Sequence, residues 1–123
     1  MNLAIWDIES SSASTDFGSI IEIGGVLVDE NFKEKDRFNL RCRLPEGEIF
    51  QAMALIVNKT SIKKLTQANL SHYQMLAEVE KIFKKWSPAI FLGWSNIGFD
   101  DEMIRKEFFK GIRYPYLTNA APK

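Results

Sequence analysis

Residues 4–10 read AIWDIES, and with Leu3 before them they set two acids inside an otherwise apolar run. In a strand, successive side chains alternate between faces. Ala4, Trp6 and Ile8 then share one face, while Leu3, Ile5, Asp7 and Glu9 share the other. The two carboxylates stand side by side, roughly 7 Å apart along the backbone by strand rise. Like charges on an apolar strand need a counter-charge, because an unpaired buried ion is costly. The run is read as a strand whose acids either form a site or guard a sheet edge against aggregation.

Working outward, IIEIGGVLVDE (residues 20–30) is rich in β-branched residues and suits a second strand. Gly24 and Gly25 mark a close backbone approach or a bulge there. Glu22 is read as a satisfied polar group or an edge residue. RFNLRCRL (residues 37–44) alternates Phe38, Leu40, Cys42 and Leu44 with Arg37, Asn39, Arg41 and Arg43, a strand with one wet face at or near a sheet edge. Short links between the three predict an antiparallel meander. The period then changes. TSIKKLTQAN (60–69) reads as a short helix. SHYQMLAEVEKIFKKW (71–86) reads as a longer one, with Ser71 as cap and Leu76, Val79, Ile82, Phe83 and Trp86 at helical spacing. Pro88 stops it. AIFLGW (89–94) is a short buried strand, SNIG (95–98) a turn, and FDDEMIRKEFFKG (99–111) a helix ended by Gly111. The tail reads as irregular. Trp6 and the Phe and Met positions of the helices are assigned to the core, and Lys81, Lys84 and Lys85 to a solvated face. Three strands, helix, strand, helix is a mixed α/β order.

Bulk properties narrow the partners. The 123 residues suit one domain, 1–123. Formal net charge is zero, so an anionic partner must be held by local patches or by metal ions. Cys42 is the only cysteine, which leaves no intrachain disulfide and fits a reducing cytosol. The sequence shows no secretory signal and no bilayer-spanning run, so the expectation is a cytoplasmic protein with no membrane partner.

A second acid site opens the last predicted helix. Asp100, Ile104 and Phe108 are successive i, i+4 neighbours, so an apolar stripe carries Asp100 toward the interior. Asp101 with Arg105, and Glu102 with Lys106, pair on a wet face. At the helix N-terminus the plain alternative is complementation of the helix dipole. Asp7, Glu9 and Asp100 together want compensation, and no lysine or arginine lies in the apolar stretches around them. Magnesium or manganese prefers such oxygen ligands.

The same residues resemble a known family. WDIES (6–10) resembles the Asp-x-Glu first motif of the DEDD superfamily of 3′-to-5′ exonucleases, and SNIGFDDE (95–102) its Asn-x-x-x-Phe-Asp second motif. FLGWSNIGFDDEMIRKEFFKGIRYPY (91–116) is similar to the corresponding part of the bacterial exonuclease I type, and ALIVNKTSIKKL (54–65) falls where that family touches the substrate's terminal nucleotides. The resemblance implies a ribonuclease H-like α/β fold, here without its C-terminal elements, and Mg2+- or Mn2+-dependent hydrolysis of single-stranded nucleic acid, DNA ahead of RNA. Asp7, Glu9 and Asp100 would be catalytic and hold metal. Asn96 would orient the site or the substrate, Leu55 and Ile56 would lie against its last bases, and Phe99 would join the substrate-binding set; Trp94, beside the second motif, would either stack a base or pack.

The sequence also departs from the pattern. The family's third motif carries a final aspartate preceded by a histidine or tyrosine. After Asp100 the only acids are Asp101, Glu102 and Glu107, and Tyr114 and Tyr116 are followed by no aspartate. The single histidine, His72, precedes the second motif and is read as a capping or surface residue. Ser10 stands where a threonine is common, and Asn58 where a glycine is frequent. The expectation is an exonuclease domain in part, weak or inactive alone. The alternatives are an RNA exonuclease, or a non-catalytic module that binds nucleic acid or pairs as a homodimer.

Overall fold

The computed structural model describes residues 1–11, 19–43, 68–93 and 97–119, with residues 97–101 and 119 as backbone only. Their strands are β1 (Asn2–Ser10), β2 (Ile20–Val28), β3 (Glu34–Arg41) and β4 (Ala89–Gly93). The helices are α1 (His72–Trp86) and α2 (Ile97–Lys110), and a 3-10 turn spans Leu117–Asn119. The sheet order is β3-β2-β1-β4. β1 pairs antiparallel with β2, β2 antiparallel with β3, and β1 parallel with β4. This is the meander expected from the sequence, with β3 at an edge of the described sheet and a parallel strand added beside β1. The predicted helix over 60–69 lies largely outside the described residues.

Alternation on β1 decides which face is covered. Ala4, Trp6 and Ile8 are buried, whereas Leu3, Ile5, Asp7 and Glu9 are half-exposed. Trp6 and Ile8 join Ile20, Ile23, Met75, Val79, Phe83, Met103, Ile104 and Phe108 in one core cluster, so both helices cover the Trp6 face. Trp6 meets Phe83 edge to face at 5.9 Å. Helix α1 begins where Ser71 caps it: Ser71 Oγ accepts from the Gln74 N–H at 3.1 Å, and Gln74 Oε1 accepts from the Ser71 N–H at 2.9 Å. Asp36 on β3 accepts from Trp86 Nε1 at 2.9 Å and so ties the end of α1 to the sheet. Gly25 allows this helix to approach: a Cβ there would meet Phe38 Cε1 at 2.8 Å and Trp86 Cζ3 at 3.3 Å.

Several expectations are corrected. The bulge falls between Glu9 and Ser10, where Ser10 pairs with Ile20 and Ile21 is the extra residue, not at Gly24 or Gly25. Helix α2 starts at Ile97, so Ile97 and Gly98 belong to it rather than to a turn. Its left-handed terminal residue is Ile112, with φ 56°, not Gly111. The Arg113 N–H donates to the Phe108 carbonyl at 2.8 Å and the Ile112 N–H to the Phe109 carbonyl at 3.0 Å, a Schellman closure one residue later than expected. Phe109 is 73% exposed and not core, because it lies off the stripe of Ile104 and Phe108.

His72 is neither cap nor surface. Its Nε2 lies 3.3 Å from Glu107 Oε2, beneath a half-buried ring. Glu107 itself is 2% exposed, and its Oε1 accepts from the Ile20 N–H at 2.8 Å. Glu107→Ala leaves that buried N–H unpaired and is expected to cost about 2–3 kcal/mol. Glu107→Gln keeps an acceptor and should cost less; urea denaturation measures both. Ile112 is 95% exposed and packs on little, so Ile112→Gly removes left-handed strain without loss of contacts. It should stabilise the chain by about 1 kcal/mol in the same assay.

Candidate active site

Asp7 and Glu9 sit at the carboxyl end of β1 on the face that the helices leave open. The residue directly across from Asp7 on β2 is Gly24, which itself carries no side chain; the Asn39 side chain leans over it, with Oδ1 3.4 Å from where a Cβ would stand. Asn39 is the next residue across, on β3. Directly across from Glu9 is Glu22, whose Oε2 accepts from Arg41 Nη2 at 3.0 Å. Glu22 is thus the satisfied polar group expected from the sequence, yet it shares the face of the two acids. Burial holds the Glu9 carboxyl above its ordinary value of 4.5, and the neighbouring charges of Asp7 and Glu22 push the same way.

The chain beyond the acids is pinned. The Ser11 N–H donates to the Ser19 carbonyl at 2.9 Å, and the Ser19 N–H donates to Ser11 Oγ at 2.8 Å. This buried clasp holds the two ends of the segment that follows Ser11. With the bulge beside it, β1 stops pairing regularly just after Glu9, a common arrangement next to sites.

Helix α2 lies on the covered side of the sheet. β4 runs parallel to β1 and ends with Gly93 beside Trp6, so Asp7 and Glu9 lie on the part of β1 that runs past the end of β4. Crevices outside the carboxyl ends of parallel strands are where open α/β sheets bind ligands. Residue 100 occupies the first turn of α2, on the stripe that continues through buried Ile104 and Phe108. That stripe packs on the covered face, whereas Asp7 and Glu9 project from the open one. The two sets can meet only over the carboxyl edge of β1 and β4. The side chains of Asp100 and Phe99 lie outside the described residues, as do Asn96, Trp94, Leu55 and Ile56 altogether. Glu102 and Lys106 form the expected surface pair at 3.0 Å. Lys81, Lys84 and Lys85 are solvated as expected.

Sequence reasoning missed three features here. Gly24 opposite Asp7 needed the register. The bulge at Ile21 needed the pairing. Glu107, counted in the sequence only among the acids that follow Asp100, is 2% exposed, with Oε1 accepting from the Ile20 N–H and Oε2 3.3 Å from His72 Nε2, so it is held in the interior. Among the described residues no three His, Cys, Asp or Glu converge on one point. The donor set on β1 is all oxygen and like-charged, and Glu9 is held above its ordinary pKa. Such a pair fits a hard divalent cation completed by ligands from elsewhere.

The fold is a mixed sheet with two helices on one face, consistent with a ribonuclease H-like arrangement. Among solved structures it matches the N-terminal part of exonuclease I. The chain superposes on the metal-free form of E. coli exonuclease I with single-stranded DNA at a TM-score of 0.86 and 17% identity, covering 99% of this chain and 28% of that one. The zinc-bound form of that complex gives 0.87 at 17% identity, over 98% and 26%. Exonuclease I from Methylocaldum szegediense gives 0.86 at 18%, over 98% and 26%. The chain therefore spans little more than a quarter of those proteins. No protein-family model and no curated protein sequence matches it.

The raised Glu9 value has a sign for stability. The folded chain takes up this proton more readily than the unfolded chain, so the contribution is most favourable below 4.5 and is lost as pH rises through the raised folded value. In the absence of divalent cation, Glu9→Gln should raise stability at about pH 7 and change it little near pH 4. Urea denaturation at the two pH values measures this; an equal effect at both would exclude a charge origin.

Proposed function

We propose that these 123 residues are part of an exonuclease domain that removes nucleotides from the 3′ end of single-stranded DNA with Mg2+ or Mn2+. The observation that carries the reading is the Asp7–Glu9 pair at the carboxyl end of β1, facing side-chain-free Gly24, in a chain that shares the exonuclease I fold along 99% of its length. Asp7 and Glu9 would supply two metal-binding carboxylates from β1 and Asp100 a third from the first turn of α2. Bound divalent ions would lower the pKa of a coordinated water and stabilise the leaving oxygen of an in-line displacement. Asn96 would orient the substrate, Leu55 and Ile56 would lie against its last bases, and Trp94 and Phe99 would offer stacking surfaces.

The chain's own residues do the positioning. The half-buried β1 face lowers the local dielectric, so carboxylates there attract a cation more strongly than in water. The Ser11–Ser19 clasp and the bulge hold the end of β1 in place. A fourth acid is not among Asp101, Glu102 and Glu107 in the resembling pattern, so the 123 residues alone are read as weak or inactive in cleavage. A cytoplasmic place of work belongs to the same reading; no described helix is long and apolar enough to cross a membrane.

The test separates cation binding from turnover. Mn2+ should raise the melting temperature of the chain by mass action, and Asp7→Ala should remove most of that rise. On 3′-labelled single strands, slow shortening that needs Mn2+ and Asp7 is expected, with DNA outcompeting RNA. A melting temperature indifferent to Mn2+, or raised equally in Asp7→Ala, would sink the reading. Ile90 and Leu92, 40% and 39% exposed on β4, favour one second reading, a self-associating module. Sedimentation equilibrium tests it, and a strict monomer excludes it.

A further inference from the structure

Glu9, Glu22 and Arg41 form one row across three strands of the open face. Glu9 is directly opposite Glu22, and Glu22 is directly opposite Arg41. Opposed side chains of an antiparallel pair stand about 4.5–5.5 Å apart at Cβ, so two bare carboxylates there repel. Glu22 is not bare. Arg41 Nη2 donates to its Oε2 at 3.0 Å, and the two side chains are only 37% and 23% exposed, for Arg41 and Glu22 respectively. The flanking residues of β3 explain why Arg41 is available. Leu40 packs against the core and Cys42 is within it, so Arg41 must point to the opposite, acid-bearing face.

We propose that Arg41 sets the divalent-cation affinity of the Asp7–Glu9 pair by neutralising Glu22 and holding its carboxylate toward β3. This rests on the cation-binding reading of Asp7 and Glu9. The formal charges of Glu22 and Arg41 sum to zero, so Arg41 offsets part of the field that the nearer Glu22 exerts on Glu9. Without Arg41, a full negative charge and two more oxygen donors stand next to Glu9, and a cation is held more tightly. Without Glu22, the guanidinium stands unopposed beside the site, and a cation is held more weakly. Without both, the row returns to its original net charge. Arg41 and Glu22 are thus positioning residues: they act through Glu9 and Asp7.

This predicts singles of opposite sign that cancel, a signature that a merely structural ion pair does not produce. Free Mn2+ is followed by electron paramagnetic resonance as it is titrated into the folded chain. Arg41→Met should tighten Mn2+ binding and Glu22→Gln should weaken it, each by about two- to five-fold, as expected for a partly exposed pair. The double variant should return close to the parent. Arg41→Lys keeps the charge and should bind as the parent does, and circular dichroism melts confirm that each variant is folded. Shifts of the same sign in both singles, no shift in either, or an Arg41→Lys shift as large as that of Arg41→Met would overturn the proposal. Asp7→Asn separates this from the underlying reading. If it abolishes Mn2+ binding while the singles fail to oppose, only the role of Arg41 is wrong. If the parent binds no Mn2+ in an Asp7-dependent way, both are wrong.

Discussion

The buried carboxylate of Glu107 is the constraint on which the arrangement of this fold depends. A carboxylate taken out of water costs several kcal/mol unless its oxygens are engaged. Here one oxygen takes the N–H of Ile20 and the other faces the ring of His72. Those contacts join three elements: the first residue of β2, the first residue of α1 and the last turn of α2. The bulge explains why the N–H is available. With Ile21 extra, Ile20 pairs out of step with Ser10 and donates to Glu107 instead. The negative charge is felt nearby. The Cys42 thiol, whose Sγ donates to the Ile20 carbonyl at 3.5 Å, is pushed up to about 12, chiefly by burial and then by Glu107. Such a thiol stays protonated and behaves as a small apolar group.

The open face shows the reverse economy of charge. Leu3, Ile5, Val26, Ile90 and Leu92 make it apolar and half-exposed, and the acids stand at its carboxyl end. The charge of Asp7 pushes against that of Glu9, and the alternation of the strand sets both on one face. An arrangement that raises a carboxyl pKa and lowers stability at neutral pH is common at sites and uncommon in structural strands. The covered face has the opposite character: Trp6, Phe83, Phe91 and Phe38 form a chain of tilted and edge-to-face rings with no charge among them.

How much of this was legible follows from the range of each interaction. The alternation of β1 and the cap of α1 are local: period two over residues 3–9, and Ser71 with Gln74 three residues on. Both could be read without a partner. The meander followed from short links between strands. Glu107 could not be read, because its partner Ile20 lies 87 residues away in the sequence. The end of α2 misled for a different reason. Gly111 is the residue expected in a left-handed turn, yet the closure onto Phe108 and Phe109 puts Ile112 there. Position 112 is adopted against local preference, so the hydrogen bonds outweigh a conformational cost of about 1 kcal/mol. Of the candidate site, Asp7 and Glu9 were legible as a pair on one face; their neighbours Gly24 and Glu22 were legible only once register was known.

The placement of Asp100 follows from the two faces taken together. Its helix packs against β4 and β2, the strands on either side of β1, and so crosses over β1 on the Trp6 side. The acids of β1 are on the other side of the same strand. A carboxylate carried by α2 therefore cannot approach them through the sheet, only around its carboxyl edge, and only from the first turn, before the helix is committed to the core at Met103 and Ile104. Residue 100 satisfies that requirement. Glu107 does not, since seven residues further along, at 1.5 Å per residue, it lies about 10 Å away down the helix. The clasp at Glu107 and the parallel register of Gly93 with Trp6 fix the two ends of this path. The length and anchoring of α2 are what set its first turn seven residues ahead of the Glu107 contact.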